Sequence, residues 1–139
     1  MGLLGSSNYT YEPVPNWAKL PSDLILGDVA GIAVDDKDRV YLFNRGQHPI
    51  VVLSQNGELL ATWGEGIFIN PHGASIGPDQ CIYLTDNFDH TVRKFSLDGK
   101  LLLKIGTAGE GSGFMSGKPF CKCTHSAVSP TGDIFVSDG

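Results

Sequence analysis

The fold is decided by the stretch IVVLSQNGELLATW at residues 50–63. Two apolar runs flank Gln55-Asn56-Gly57 in this stretch, and an Asn-Gly pair between apolar runs is typical of a β-hairpin. A shift of 42 residues gives VRKFSLDGKLLLKI at residues 92–105, where Asp98-Gly99 replaces Asn56-Gly57. The stretch is therefore one half of a repeating unit built from strands.

The same shift extends the repeat toward the N-terminus of each unit. Residues 31–35 and 40–45 are two further strand-like runs, so each unit contains four predicted strands. A third copy begins at residue 126 after a connection that is ten residues longer, and it ends at residue 139. The identities between the first two copies include Gly31 with Gly73, Tyr41 with Tyr83, His48 with His90, and Gly64 with Gly106.

A period in the low forties with four short strands per unit is typical of β-propeller blades. We therefore predict an all-β chain of about two and a fraction four-stranded antiparallel blades. Residues 1–27 are predicted to be an irregular, proline-punctuated segment, and residues 28–139 a partial propeller. Its repeats span about 31–64, 73–106 and a truncated 126–139. The alternative is an independent β-sandwich of about ten strands, which the regular internal register disfavours.

Propellers need about four to eight blades, because one blade cannot bury both of its faces. We therefore expect this sequence to be the N-terminal portion of a longer protein, or a fragment that self-assembles with other copies. The net charge of −5 lacks the basic face that nucleic-acid binding requires. No apolar run approaches the ~18 residues of a membrane span, and no signal-peptide pattern is visible. The default expectation for its location is the cytoplasm.

Histidine 72 is set apart by its neighbours in Asn70-Pro71-His72-Gly73. Pro71 fixes its own φ and Gly73 permits close backbone approach, so the backbone aims the histidine side chain. The equivalent positions in the other repeats are Ala30 and Thr124, so His72 does not recur. It is either a ligand or a histidine that starts a strand. His48 and His90 do recur, which favours a local hydrogen-bonding role for them.

Residues 89–95, DHTVRKF, resemble the segment that gives the NHL family its name. A closer resemblance depends on motifs that follow one another in order, such as FNRG at residues 43–46, PHG at 71–73 and VSDG at 136–139. In that order the sequence resembles the peptidyl-α-hydroxyglycine α-amidating lyases, especially bacterial ones. The resemblance implies a six-bladed NHL propeller with zinc and calcium near its central channel. The reaction it implies is cleavage of a C-terminal α-hydroxyglycine to a peptide amide and glyoxylate.

The resemblance also implies roles for four residues of this sequence. Arg45 would be a catalytic, active-site residue, and His72 would be the first of three zinc histidines. Ile32 and Ala74 would bind calcium through their backbone carbonyls. The other ligands and a catalytic tyrosine would follow Gly139, so we expect the fragment alone to be inactive and to hold no metal tightly.

Cys121, Cys123 and His125 are three potential metal donors within five residues. In a strand they would project to one face, too closely spaced for a closed site without a bend. We therefore predict that His125 lines the channel or makes a local hydrogen bond. Cys81, at the start of a predicted strand, is expected to be a buried small hydrophobic residue.

Two functions remain open at this point, because a propeller fold does not decide between them. The first is a metal-dependent lyase acting on a small-molecule or peptide substrate, whose activity would belong to the full-length parent. The second is a non-enzymatic NHL propeller that binds a protein partner.

Overall fold

The computed structural model describes residues 3–139, and residues 1–2 of the predicted N-terminal segment lie outside this range. The described chain forms twelve β-strands and no helix. None of it could therefore cross a membrane as a long apolar helix. The predicted all-β class of four-stranded antiparallel blades is confirmed.

Two complete four-stranded sheets, called here blade 1 and blade 2, follow one another along the chain, and each is an antiparallel meander. Two strands of a third sheet, called blade 3, come next. Blade 1 contains β3 (Val29–Val34), β4 (Val40–Asn44), β5 (Ile50–Leu53) and β6 (Leu59–Trp63). Blade 2 contains β7 (Pro71–Ile76), β8 (Cys81–Asp86), β9 (Thr91–Ser96) and β10 (Leu101–Ile105), and blade 3 contains β11 (His125–Val128) and β12 (Ile134–Ser137).

The N-terminal segment is not wholly irregular, which corrects the prediction for residues 1–27. Strands β1 (Leu4–Ser6) and β2 (Tyr9–Tyr11) form a small hairpin whose turn places Ser7 at a φ of 55°. Tyrosine and threonine, which make up β2, favour extended structure. The prediction of an irregular segment rested on its prolines and gave this preference too little weight. Farther along, Trp17, Leu20, Leu24 and Leu26 pack on the face of blade 1 formed by Leu42, Val51 and Leu53.

One turn type closes all five of the hairpins at β3–β4, β5–β6, β7–β8, β9–β10 and β11–β12. In the second of them, Gly57 N–H donates to Ser54 C=O at 2.9 Å and Ser54 N–H donates to Glu58 C=O at 2.8 Å. Gly57 has a φ of 80°, and no positive φ occurs at Asn56. The turn is therefore of type I with a following left-handed residue, as in three-residue hairpin loops. The left-handed position is held by Asp38, Gly57, Gln80, Gly99 and Gly132.

An aromatic seam joins blade 1 to blade 2. Phe68, in the connection between the blades, lies 4.8 Å from Phe43 and 5.9 Å from Phe95, measured between ring centroids. Trp63 lies 5.2 Å from Phe95 by the same measure. Phe43 and Phe95 are buried, so the two sheets share one apolar core.

Buried Asp35 holds the turn between β3 and β4, and this predicts a pH dependence of stability. Burial opposes its ionisation, but bonds from the Arg39 backbone and guanidinium and the Lys37 N–H prevail and lower the pKa of Asp35. A lowered carboxyl pKa adds stability that is present above the unfolded value of about 3.9 and lost as pH falls through the folded value. We expect Asp35→Asn to lower the free energy of unfolding by about 1–3 kcal/mol at neutral pH.

Urea unfolding of both proteins across a pH series would test this. The difference between them should shrink below roughly pH 4. A difference that stays constant down to the lowest pH would contradict the prediction.

Candidate functional site

The innermost strands of the three sheets, β3, β7 and β11, lie side by side at glycine positions. A Cβ on Gly31 would lie 2.8 Å from the Ala74 nitrogen and 3.1 Å from the His72 carbonyl oxygen. A Cβ on Gly73 would lie 2.5 Å from the Thr124 carbonyl oxygen. Neither position has room for a side chain. The two recurring glycines therefore let the inner strands approach closely.

His72 is the extra residue of a β-bulge in β7. Pro71 pairs with Asp86 and Gly73 pairs with Thr85, so His72 has no partner of its own on β8. Such bulges re-aim a side chain and are frequent beside functional sites. Ala30 holds the same bulge position in β3, so the histidine is added to a feature that both blades share.

Arg45 lies beside the beginning of β7. Its Nε donates to the Pro71 carbonyl at 3.2 Å, and its Nη1 lies 3.7 Å from the Asp28 carboxylate. The side chain keeps 38% of its surface exposed. Asn87 is the equivalent residue of blade 2, and its Nδ2 donates to the Lys122 carbonyl at 2.9 Å. This position therefore links each blade to the next, and in blade 1 the link is a guanidinium with further N–H groups.

The structure places all four residues singled out by the resemblance on or beside the adjacent strands β3 and β7. Ile32 and Ala74 belong to these two strands, which touch where Gly31 meets Ala74. Ala74 is buried, whereas the Ile32 side chain is 60% exposed. The roles of Arg45, His72, Ile32 and Ala74 remain predictions.

The described residues do not complete a metal site. Residues 3–139 contain no group of three or more His, Cys, Asp or Glu side chains that could hold a metal ion. A zinc site needs three or four protein ligands, and calcium takes about six to eight oxygens. One imidazole and two backbone carbonyls satisfy neither requirement, so zinc and calcium also remain predictions.

The segment with Cys121, Cys123 and His125 is not the single strand assumed in the sequence interpretation. Lys122 has a φ of 60°, which breaks the alternation of sides, and β11 begins only at His125. Cys123 is fully buried, its Sγ lies 3.6 Å from the carbonyl oxygens of Asp86 and Thr91, and burial above all raises its pKa to about 12. This thiol is a structural group between blades 2 and 3.

Cys81 is only half-buried, so the prediction that it is a buried hydrophobic residue is wrong. It follows the exposed residues 78–80 of a turn, and its Sγ donates to the Asp79 carbonyl at 3.7 Å. His125 is exposed. It lies beside Gly73, since a Cβ added to that glycine would be 2.5 Å from the His125 Nδ1.

The predicted local hydrogen-bonding role of the recurring histidines is confirmed. The His48 Nδ1 lies 2.5 Å from a Glu65 carboxylate oxygen, and this bond lowers the pKa of Glu65. The His90 Nδ1 accepts the Lys122 N–H at 2.9 Å. Each histidine therefore ties its blade to the loop that follows it.

Sequence reasoning missed a polar residue at the end of the second strand of each unit. The Asn44 side-chain oxygen accepts the Gly27 N–H at 3.1 Å, and the Asp86 carboxylate accepts the Ile69 N–H at 2.6 Å. Asp138 accepts the Cys121 N–H at 2.6 Å. These acceptors, called here the blade pins, are spaced by 42 and 52 residues. That spacing was the available signal, since Asp86 and Asp138 align in the repeat.

Comparisons with known proteins point to one group of relatives. The chain is 41% identical over 164 aligned positions to "Peptidyl-alpha-hydroxyglycine alpha-amidating lyase 1" of Drosophila melanogaster, across 98% of this chain and 29% of that protein. It is 34% identical to "Peptidylglycine alpha-amidating monooxygenase" of Rattus norvegicus, across 84% of this chain and 14% of that protein. "NHL repeat-containing protein 3" of Homo sapiens is 32% identical, across 88% of this chain and 38% of that protein.

The chain thus spans between about a seventh and two fifths of the length of these relatives. No family model matches it. Among solved structures, virginiamycin B lyase from Staphylococcus aureus aligns with a TM-score of 0.59 at 16% identity, across 78% of this chain and 34% of that one. At that identity the likeness supports the propeller-like fold alone.

Proposed function

We propose that this chain, homologous over most of its length to amidating lyases and NHL repeat proteins, forms part of the propeller of an amidating lyase. The reaction would split a peptide that ends in α-hydroxyglycine into a peptide amide and glyoxylate. The observation that carries the proposal is the contact between the Arg45 Nε and the Pro71 carbonyl, at 3.2 Å. It links blade 1 to the beginning of blade 2 and joins Arg45 to the residue directly before His72, and the family resemblance gives a role to both Arg45 and His72.

Arg45 is suited to holding the carboxylate of the substrate. A guanidinium pairs with two carboxylate oxygens at once, and it stays charged at any physiological pH. Its Nε donates to the Pro71 carbonyl, and its Nη1 lies 3.7 Å from the exposed Asp28 carboxylate, which a substrate carboxylate could displace. The side chain would therefore orient the α-hydroxyglycine end against the site.

His72 would contribute one imidazole ligand to a zinc ion, and the carbonyls of Ile32 and Ala74 would contribute oxygens to a calcium ion. The remaining ligands would have to come from elsewhere in the protein, because the described residues complete neither site.

The proposal predicts that Arg45→Ala weakens substrate binding in the full-length protein. Hydrogen bonds to a charged partner contribute about 1.5–3 kcal/mol, so kcat/KM should fall roughly 10- to 100-fold, mainly through KM. The measurement is the rate of glyoxylate release from a peptide that ends in α-hydroxyglycine.

Asn87→Ala is the matched control for this experiment, because it removes the equivalent link between blades without removing a guanidinium. An equal loss in both variants would show that Arg45 is only a link between blades. Absence of glyoxylate release by the unaltered full-length protein would refute the proposed function.

A second candidate is a propeller that binds a protein partner without catalysis. It is favoured by the match to NHL repeat-containing protein 3, which covers 88% of this chain, slightly more than the 84% that the monooxygenase match covers. This function predicts a full-length protein with no glyoxylate release that captures a defined partner through the same surface.

A further inference from the structure

The blade pins are not equally strong, and the strongest is in the blade that carries His72. Asn44 holds one backbone N–H of the segment that leads into blade 1, that of Gly27. Asp138 likewise accepts one backbone N–H, that of Cys121, from the segment that leads into blade 3. Asp86 holds two consecutive groups, the N–H of Ile69 at 2.6 Å and that of Asn70 at 3.0 Å.

The carboxylate of Asp86 is what allows this stronger attachment. Its Oδ1 also accepts the Asp89 N–H at 3.0 Å, so three backbone donors share two oxygens. The amide of Asn44 has one acceptor oxygen, and its Nδ2 instead donates to the His48 carbonyl at 2.8 Å. Asp86 is fully buried, and burying a carboxylate is costly unless it is hydrogen-bonded. Three backbone hydrogen bonds offset this cost in blade 2. In blade 1 the same position is held by an uncharged amide, that of Asn44.

Hydrogen bonds also hold the two carbonyl groups directly before the bulge of β7. The Asn70 carbonyl accepts the Asn87 N–H at 3.1 Å, and the Pro71 carbonyl accepts the Arg45 Nε–H. Pro71 has a fixed φ and no N–H to satisfy. The bonds at Ile69, Asn70 and Pro71 therefore determine where the bulge sits, and the bulge determines where the His72 side chain points.

We infer that Asp86 is a positioning residue for His72. It acts through two backbone N–H groups, and it holds the bulge of β7 from which the imidazole projects. A ligand role for this imidazole rests on the proposed function, whereas the hold of Asp86 on the bulge does not.

The histidine ring signals in NMR spectra of this chain test the inference without requiring any activity. The chain has four histidines, and His48, in blade 1, serves as the internal reference. Asp86→Ala should shift or broaden the His72 ring signals while those of His48 stay in place. Asp86→Asn keeps one acceptor oxygen and should cause a smaller change in the same signals.

The matched control is Asp35→Ala, which removes another buried carboxylate that holds two backbone N–H groups, in the turn at residues 35–39 of blade 1. It should lower the melting temperature and leave the His72 signals unchanged. His72 signals that are unaltered in the Asp86 variants would overturn the inference. Should Asp86→Ala fail to fold, Asp86→Asn alone decides the question.

Kinetics of the full-length protein separate this inference from the proposed function. Asp86→Asn should lower kcat several-fold with little change in KM, because Asp86 does not touch the substrate carboxylate. A rise in KM like that of Arg45→Ala, with kcat unchanged, would count against it. If the unaltered protein is inactive, the proposed function fails and the NMR comparison still decides the role of Asp86.

Discussion

Replacement of Arg93 by methionine is expected to lower the free energy of unfolding by about 3–5 kcal/mol. Arg93 and Asp89 form an ion pair between Nη2 and a carboxylate oxygen, and their side chains are only 8% and 4% exposed. Removal of the guanidinium leaves Asp89 buried with no cation beside it. Breaking a buried pair on one side is costly because the remaining charge has lost its compensation.

Arg93 also fixes the connection between the blades. Its Nη1 donates to the Ile67 carbonyl at 2.8 Å, and its guanidinium carbon lies 5.4 Å from the centre of the Phe68 ring. The methionine would keep most of the apolar volume but neither of these contacts. Loss of the ion pair would therefore also loosen residues 67–68, just before the segment that Asp86 holds.

Urea unfolding of the variant and the unaltered chain measures the effect. Lys19→Met is the matched control, because Lys19 pairs with Glu58 on the surface with side chains 55% and 58% exposed. Such a pair contributes about 0–1 kcal/mol. The double variant Arg93→Met with Asp89→Asn should recover part of the loss, since no buried charge is left. A loss below about 1 kcal/mol in the single variant would mean that Asp89 is not compensated by Arg93.

The propeller blades could be predicted from the sequence because their signals are local and repeated. The apolar runs around Asn56-Gly57 and Asp98-Gly99 mark strands and turns, and the shift of 42 residues identifies equivalent positions. The turn type was not predictable in the same way. Asp38 and Gln80 adopt the left-handed conformation that Gly57 and Gly99 adopt, and nothing in their residue types demands it.

The candidate site was only partly predictable, for physical reasons that differ between its residues. Arg45 and His72 follow from short motifs recognised by resemblance. The bulge at His72 depends on the pairing of β7 with β8, which a single sequence does not record. Asp86 was overlooked as a pin because a polar residue at a strand end usually indicates a solvent-exposed turn. Its burial arises from the connection before blade 2 and from Cys123, whose Sγ lies 3.6 Å from the Asp86 carbonyl oxygen.

The blade pins and the aromatic seam act on the same connection from two sides. Asp86 holds the backbone of Ile69 and Asn70, while Phe68 packs between the two sheets. The position of the first strand of blade 2 is therefore set by hydrogen bonds on one side and by apolar packing on the other. One short segment, residues 68–70, therefore packs between the two blades and leads directly into the bulge at His72.

Phe95→Ala is expected to lower the free energy of unfolding by about 3–5 kcal/mol, the usual cost of deleting a buried phenylalanine ring. Phe95 is 1% exposed and contacts both Trp63 of blade 1 and Phe68 of the connection. Its removal would leave a cavity between the blades, and the surrounding rings could fill it only by moving the connection.

Phe135→Ala is the matched control, because that ring is 64% exposed and its loss should change stability by about 0.5 kcal/mol or less. Phe95→Leu keeps most of the volume and should cost less than about 1.5 kcal/mol. Urea unfolding of the three variants gives the comparison. A similar loss for Phe95→Ala and Phe135→Ala would show that the seam does not hold the blades together. We expect Phe95→Ala to have by far the lowest free energy of unfolding of the three variants. That result would mean that the aromatic core behind the inner strands brings the two sheets into contact.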